Sequence, residues 1–149
     1  MAVKPIPDGY NNVNAYLMVD DVEKLLDFLK NAFDAEEFER IATPDGAIMH
    51  AEVRIGDSVI MIGPAKDELG ATHSMLYVYV EDTNAIYQRA LQAGATSIME
   101  PADQFYGDRN AGVKGPCGNL WWIATHIEDV SQDEMMQRMA ASTAEKQEN

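Results

Sequence analysis

Three ionisable side chains alternate along one short stretch of the chain, and they are its strongest candidates for chemistry. His50, Glu52 and Arg54 are separated by single apolar residues, Ala51 and Val53. This period of two is typical of a half-buried strand with one polar face. On such a face, His50 could act as a general base oriented by Glu52, or all three groups could contact a charged ligand. The same pattern also fits a sheet surface that faces only water.

The strand that carries these residues is predicted to return as a β-hairpin over residues 47–63. Gly56-Asp57 has the composition of a two-residue turn. The register of such a turn fixes which residues share a face. It predicts the pairs Ile55 with Ser58, Val53 with Ile60, Glu52 with Met61, and Ala51 with Ile62.

The hairpin belongs to a pattern that occurs twice along the chain. Residues 19–21 (Val-Asp-Asp) and 80–82 (Val-Glu-Asp) each close an alternating strand and open an amphipathic helix, 61 residues apart. In the first module we expect strands at about 12–19, 37–43 and the hairpin 47–63, with a helix at 22–33. In the second we expect strands at 75–81, 97–100, 108–114 and 120–125, with a helix at 84–93. The sequence therefore predicts two β-α-β-β-β modules.

Composition limits the possible partners. The 149 residues carry a net charge of −14, which opposes binding to nucleic acid or to an anionic membrane. The single cysteine, Cys117, is interpreted as a turn residue. Because neither a signal-peptide core nor a membrane-length apolar run is evident, we expect a cytoplasmic protein. Residues 131–149 are predicted to form a C-terminal helix with a frayed tail of about nine residues.

Several motifs resemble one known superfamily. They are Asp21 seven residues before Phe28, the Ala-Gly-Ala of residues 93–95, and the Gly-Pro-Cys-Gly-Asn-Leu-Trp-Trp of residues 115–122. Together with the two modules, they resemble the vicinal oxygen chelate superfamily of glyoxalase I, bleomycin-resistance proteins and extradiol dioxygenases. Residues 106–114 and 124–129 look most like its PhnB-like branch. The resemblance covers about residues 12–129.

This resemblance implies an α+β fold. Two tandem βαβββ modules, at about 12–65 and 74–127, would form a curled mixed-sheet cup with helices on its convex face. They would make a single domain over residues 1–130, followed by the C-terminal helix. The polar face of the hairpin would then line the cup. Trp122 would point into the cup and Trp121 towards the helices.

In this superfamily, a divalent metal is held by residues of the first and fourth strands of each module. The matching positions here are Asn14 and Met75, and Met61 (or Ile60) and Trp122. These residues are poor ligands for a hard divalent ion. We therefore expect no metal and no cofactor. The last turn also has Gly115 where the family usually has Asp.

The resemblance thus predicts a metal-free protein that sequesters a small aromatic or cationic molecule in its cup. The predicted ligand-binding residues are Asn14, Tyr16, His50, Glu52, Arg54, Met61, Met75, Tyr77, Tyr106, Arg109 and Trp122. The alternative is a glyoxalase- or dioxygenase-like enzyme, a lyase or oxidoreductase, that uses His50 and Glu52 for acid–base chemistry or, with His73, as a different metal site. A third possibility is a dimeric structural or regulatory protein without a ligand. A homodimer is expected, because open curled sheets leave edge strands free.

Overall fold

The computed structural model describes residues 2–66 and 68–148, which form eight strands and three helices. The first module contains β1 (Ala15–Val19), α1 (Val22–Phe33), β2 (Glu36–Ala42), β3 (Ile48–Ile55) and β4 (Ser58–Pro64). The second contains β5 (Met75–Tyr79), α2 (Thr83–Gln92), β6 (Thr96–Asp103), β7 (Asp108–Lys114) and β8 (Leu120–His126). Helix α3 (Gln132–Glu148) follows. The predicted α+β fold of two βαβββ modules and a C-terminal helix is confirmed.

Each module forms one mixed four-stranded sheet, with the orders β1-β4-β3-β2 and β5-β8-β7-β6. In both, the first strand runs parallel to the fourth and the remaining pairs are antiparallel. The hairpin register is as predicted, with Glu52 opposite Met61 and Val53 opposite Ile60. Among the described residues, β1 and β5 each pair with one strand only, so the two sheets do not join into a closed cup.

Both module helices begin at an aspartate that follows a strand. Asp21 caps α1 by accepting a hydrogen bond from the Lys24 N–H at 3.0 Å. Asp82 caps α2 in the same way, accepting from Ala85 N–H at 3.1 Å. An aspartate at this position satisfies a helix N–H that would otherwise lack a partner. These caps fix the point at which the first strand of each module ends and the helix that crosses the same sheet begins.

The helices cover the apolar faces of both sheets. Leu17, Val53 and Ile62 of the first sheet, and Trp121 and Ile123 of the second, are buried in one core with α1. Trp121 is fully buried and its ring contacts Phe28 and Phe33 of α1, with centroids 6.2 and 5.4 Å apart. The prediction that Trp121 points towards the helices is confirmed.

Some element ends differ from the expected ones. Strand β1 begins at Ala15, three residues later than predicted, and β6 continues to Asp103. Helix α3 continues to Glu148, where a frayed tail was expected. Residue 149, the end of that tail, lies outside the described residues. None of the helices described is both long enough and apolar enough to cross a bilayer.

Candidate functional site

The first polar face is the surface of the first sheet that carries Asn14, Tyr16, His50, Glu52, Arg54 and Met61. Its centre is a chain of hydrogen bonds. The Tyr10 hydroxyl donates to Glu52 Oε1 at 2.5 Å, and His50 Nε2 lies 2.9 Å from Glu52 Oε2. The Tyr16 hydroxyl lies 3.2 Å from His50 Nδ1. If the neutral ring carries its proton on Nε2, it donates to Glu52 and accepts from Tyr16. The structure thus brings Tyr16, His50 and Glu52 together, as the sequence analysis expected.

Glu52 is the electrostatic centre of this face, and its side chain is nearly buried, since the residue is 5% exposed. Burial alone would raise the pKa of Glu52, but hydrogen bonds from Tyr10 and His50 outweigh it and hold this pKa below its usual value. The neighbouring carboxylate has the opposite effect on Tyr10, where the hydrogen bond to Glu52 raises the pKa of the phenol to about 12. Glu39 stands opposite Glu52 in the ladder, and its hydrogen bond to Glu52 raises the pKa of Glu39.

A glycine makes the Tyr16–His50 contact possible. Gly63 lies on β4, beside Tyr16 on the same face. A Cβ atom at position 63 would lie 2.6 Å from the Tyr16 hydroxyl oxygen. Because real Cβ atoms do not approach that closely, any larger residue would push the phenol away from the imidazole.

The second polar face belongs to the second sheet and carries Met75, Tyr77, Tyr79, Asp108, Asn110 and Trp122. Asp108 is buried beneath it and accepts hydrogen bonds from Tyr77 at 2.6 Å and Tyr79 at 2.9 Å. His126 Nδ1 lies 2.8 Å from the other oxygen of Asp108. The second ring nitrogen of His126 lies 2.8 Å from Asp129.

Hydrogen bonds on this face stabilise the charged forms of the groups that they join. Both ring nitrogens of His126 face carboxylate oxygens, and only the imidazolium can donate to both of them. Hydrogen bonds to Asp108 and then Asp129 raise the pKa of His126 accordingly. Burial opposes ionisation of Asp108, but the bonds from Tyr77, His126 and Tyr79 keep its pKa below the usual value. The pKa of Tyr77 is raised, mainly by burial and to a smaller extent by its hydrogen bond to Asp108.

The two faces differ at one position of the repeat. In the first sheet, the row across the strands is Tyr16, Met61 and Glu52. In the second sheet, the corresponding row is Tyr77, Trp122 and Gly112. A Cβ atom at Gly112 would lie 2.6–2.8 Å from the Trp122 ring, so the indole covers the glycine. The first face therefore presents a carboxylate where the second presents an aromatic surface.

The remaining predicted residues fall in different places. Arg54 lies on the first face with its guanidinium 4.7 Å from the centre of the Phe38 ring, a favourable cation–π distance. Asn14 and Met61 line a cavity of about 470 Å³ on that face. Tyr106 lies on the second face, where Asn110 Nδ2 donates to its hydroxyl at 2.6 Å.

Arg109, which the sequence analysis grouped with the ligand-binding residues, lies on the helix side of the second sheet and not on its polar face. It donates to Asn84 of α2 at 3.0 Å and to Asp103 at 2.9 Å. Since Asp108 and Asn110 face the polar side of β7, the residue between them must face the helix side. The other predicted residues form one cluster on each sheet.

Sequence reasoning missed Tyr10, Asp108, Asn110 and His126 as members of these clusters. A signal was present for Asp108 and Asn110, because they alternate along β7 just as His50 and Glu52 alternate along β3. Asn110 also takes the role of His50 in the repeat, since its amide donates to Tyr77 at 3.1 Å. Tyr10 lies outside any periodic pattern, so its place could not be found in this way.

Comparison with known proteins agrees with this architecture. Residues 10–123 match the model of the Glyoxalase/Bleomycin resistance protein/Dioxygenase superfamily. The chain belongs to this superfamily. It is 34% identical over 140 residues to an uncharacterized protein of Mycobacterium bovis, covering 87% of this chain and 92% of that protein. An uncharacterized protein of Mycobacterium tuberculosis is also 34% identical, with 87% of this chain and 82% of that protein covered.

Solved structures share the fold at low sequence identity. TioX from Micromonospora sp. ML1 has a TM-score of 0.64 and 22% identity, covering 78% of this chain and all of that one. The fosfomycin resistance protein FosX from Listeria monocytogenes, solved with Mn(II) and sulfate, has a TM-score of 0.61 and 17% identity, covering 87% and 97% of the two chains. Similarity at this level establishes the fold alone.

The residues at the family's metal positions do not fit a divalent ion. The side chain of Asn14 is engaged with Asn11, accepting from its N–H at 3.1 Å and donating to its carbonyl at 2.7 Å. Met61 and Met75 offer only thioether sulfur, and the Trp122 ring lies against Gly112. Within residues 2–66 and 68–148, no three His, Cys, Asp or Glu side chains are grouped closely enough to hold a metal.

Proposed function

We propose that the protein binds a small aromatic or cationic organic molecule on its polar faces without a metal. The observation that carries this proposal is Glu52, a nearly buried carboxylate among aromatic side chains beside a cavity of about 470 Å³ on the first polar face. Such a group offers directed hydrogen-bond acceptors, and rings beside it offer apolar contact. The net charge of −14 favours a cationic ligand and disfavours nucleic acid.

The second polar face supports the same proposal. Met75 and Tyr79 are 55% and 62% exposed there, beside the partly covered Trp122. Aromatic rings and methionine together suit flat or irregular organic molecules. The proposal can be tested by titrating an aromatic cation, such as benzamidinium, into a Trp121→Phe variant whose remaining tryptophan is Trp122. Saturable quenching of Trp122 supports binding at the second face, and calorimetric binding to the wild-type protein that weakens in Glu52→Gln supports binding at the first face. The absence of both quenching and binding heat in the titration would refute this class of ligand.

We further propose that the active form is a homodimer, in which a second copy of the chain closes the open side of the two curled sheets. The support lies at the free edges of β1 and β5. A cavity of about 820 Å³ lies between the modules there, walled by apolar residues that include Val13, Ile60, Leu76 and Val78. A second copy laid against these edges would cover the apolar walls and bring a second polar face opposite the first.

The second candidate function is an enzyme, favoured by the order Glu52–His50–Tyr16. A carboxylate on one imidazole nitrogen and a hydroxyl on the other form the usual arrangement for moving a proton through a histidine. The reaction would be a lyase or oxidoreductase step of the superfamily's type. Mass spectrometry of a bound ligand before and after incubation separates the two functions, because binding alone leaves its mass unchanged. Membership of the PhnB-like branch stays a prediction that rests on residues 106–114 and 124–129.

A further inference from the structure

The N-terminal segment, residues 5–12, lies across the first polar face without joining the sheet. Its backbone turns on itself, with the Tyr10 N–H donating to the Pro7 carbonyl at 3.2 Å. The chain before Tyr10 is largely exposed; Ile6, for example, is 43% exposed. Tyr10 is therefore the main anchor of this segment on the first polar face.

Tyr10 makes two kinds of contact with that face. Its hydroxyl donates to Glu52 at 2.5 Å, and its ring meets the edge of Phe38 at a centroid distance of 6.4 Å. Arg54 lies over the same Phe38 ring, and Gly9 lies beside the Arg54 guanidinium. The site thus holds an aromatic ring that carries a hydrogen-bond donor, and this group belongs to the protein itself.

Space for a ligand lies beside this contact. The cavity of about 470 Å³ is bounded by residues 5–7 of the segment on one side and by Asn14, Glu52 and Met61 on the other. This volume is within the usual range for small-molecule sites. Each carboxylate oxygen of Glu52 already accepts one hydrogen bond, from Tyr10 or from His50, and the residue is only 5% exposed, so a ligand gains access to the carboxylate when one of the two donors leaves. Tyr10 is the group that can leave, because its segment is not paired with a strand.

We infer that Tyr10 is an internal stand-in for the ligand, and that the ligand is an aromatic molecule bearing a hydrogen-bond donor which displaces Tyr10 from Glu52. This inference rests on the proposed ligand-binding function and specifies the chemistry at its centre. Displacement also releases residues 5–12, so binding opens the segment over the first face. A ligand with a cationic donor should bind most tightly, because a charged donor makes a stronger hydrogen bond to a carboxylate than a neutral donor does.

The test uses the full-length protein and three probes: benzamidinium, phenol, and toluene as a ring without a donor. Calorimetry or NMR titration gives each affinity, and ¹⁵N relaxation of the Gly9 and Asn11 amides reports the freedom of the segment. We expect affinity to fall in the order benzamidinium, phenol, toluene. Saturating benzamidinium should increase the fast motion of the Gly9 amide in the wild-type protein.

Two variants test the competition directly. Tyr10→Phe keeps the ring but removes the competing hydroxyl, so benzamidinium should bind about tenfold more tightly, the lower end of the scale for one lost hydrogen bond to a charged group. Without any probe, this variant should already show the mobile Gly9 amide. Lys4→Ala is the matched control, because in the part of the chain that the structure describes Lys4 pairs with the exposed Asp8 alone. It should change neither the affinity nor the amide motion.

The outcomes separate this inference from the function on which it rests. If benzamidinium binds the wild-type protein and Tyr10→Phe equally and leaves Gly9 unchanged, ligand binding stands and the displacement of Tyr10 is refuted. Toluene binding as tightly as phenol would refute the donor requirement. If no probe binds either protein, the proposed function on this face fails, and the inference fails with it.

Discussion

The two adjacent tryptophans give the sharpest test of how the second sheet is built. Trp121 is fully buried against Phe28 and Phe33, so Trp121→Ala leaves a large cavity. Such truncations cost about 3 to 5 kcal/mol of unfolding free energy. The buried indole N–H of Trp121 has no hydrogen-bond partner within residues 2–66 and 68–148, and its removal returns part of that cost. We therefore expect about 3 kcal/mol.

Trp122 lies on the polar face over Gly112 and is only partly covered. Trp122→Ala should cost about 1 to 2 kcal/mol, in keeping with the smaller apolar area removed from contact. Urea unfolding followed by circular dichroism at a fixed protomer concentration measures both values. In thermal unfolding, the same difference corresponds to about 3 °C per kcal/mol for a chain of this size. Equal destabilisation by the two changes would refute an open second face and show a filled core instead.

Three further predictions follow from the geometry. Elemental analysis after ordinary purification should find no stoichiometric Zn, Ni, Mn or Fe, and one equivalent per chain that is lost in His50→Ala would contradict the metal-free proposal. Sedimentation at micromolar concentration should give the mass of a dimer, and a monomer mass would refute the proposed assembly. Because the folded-state pKa of His126 is raised, its contribution to stability is complete below about pH 6.5 and is lost as the pH rises through that folded value. The stability difference between the wild-type protein and His126→Gln should therefore shrink as the pH rises above about 6.5, and a difference that stays constant with rising pH would show that the imidazolium pairs add nothing.

The elements that the sequence predicted well are those governed by local rules. The hairpin register follows from a two-residue turn at Gly56-Asp57 and from strict alternation on both sides, and the structure has the predicted pairs. The family resemblance, combined with alternation along β8, also assigned Trp121 to the helix side, where it is buried. The same alternation along β7 places Arg109 on the side opposite Asp108 and Asn110.

The contacts that could not be predicted are those that join distant segments. Tyr10 and Glu52 are 42 residues apart, and the segment that carries Tyr10 has neither strand nor helix periodicity. Likewise, strand patterns specify each sheet but do not specify whether β1 and β5 pair with each other. That relation depends on how α1 packs against Trp121 of the other module, which only the tertiary structure reveals.

Native mass spectrometry of the protein purified gently from its own cells shows whether an organic ligand is bound at Glu52. We expect an aromatic molecule bearing a hydrogen-bond donor that accompanies the wild-type chain and is lost in Glu52→Gln. Loss in that variant ties the molecule to the carboxylate of the first polar face. A bare polypeptide mass, or one metal ion per chain without an organic molecule, would contradict metal-free binding of an organic ligand.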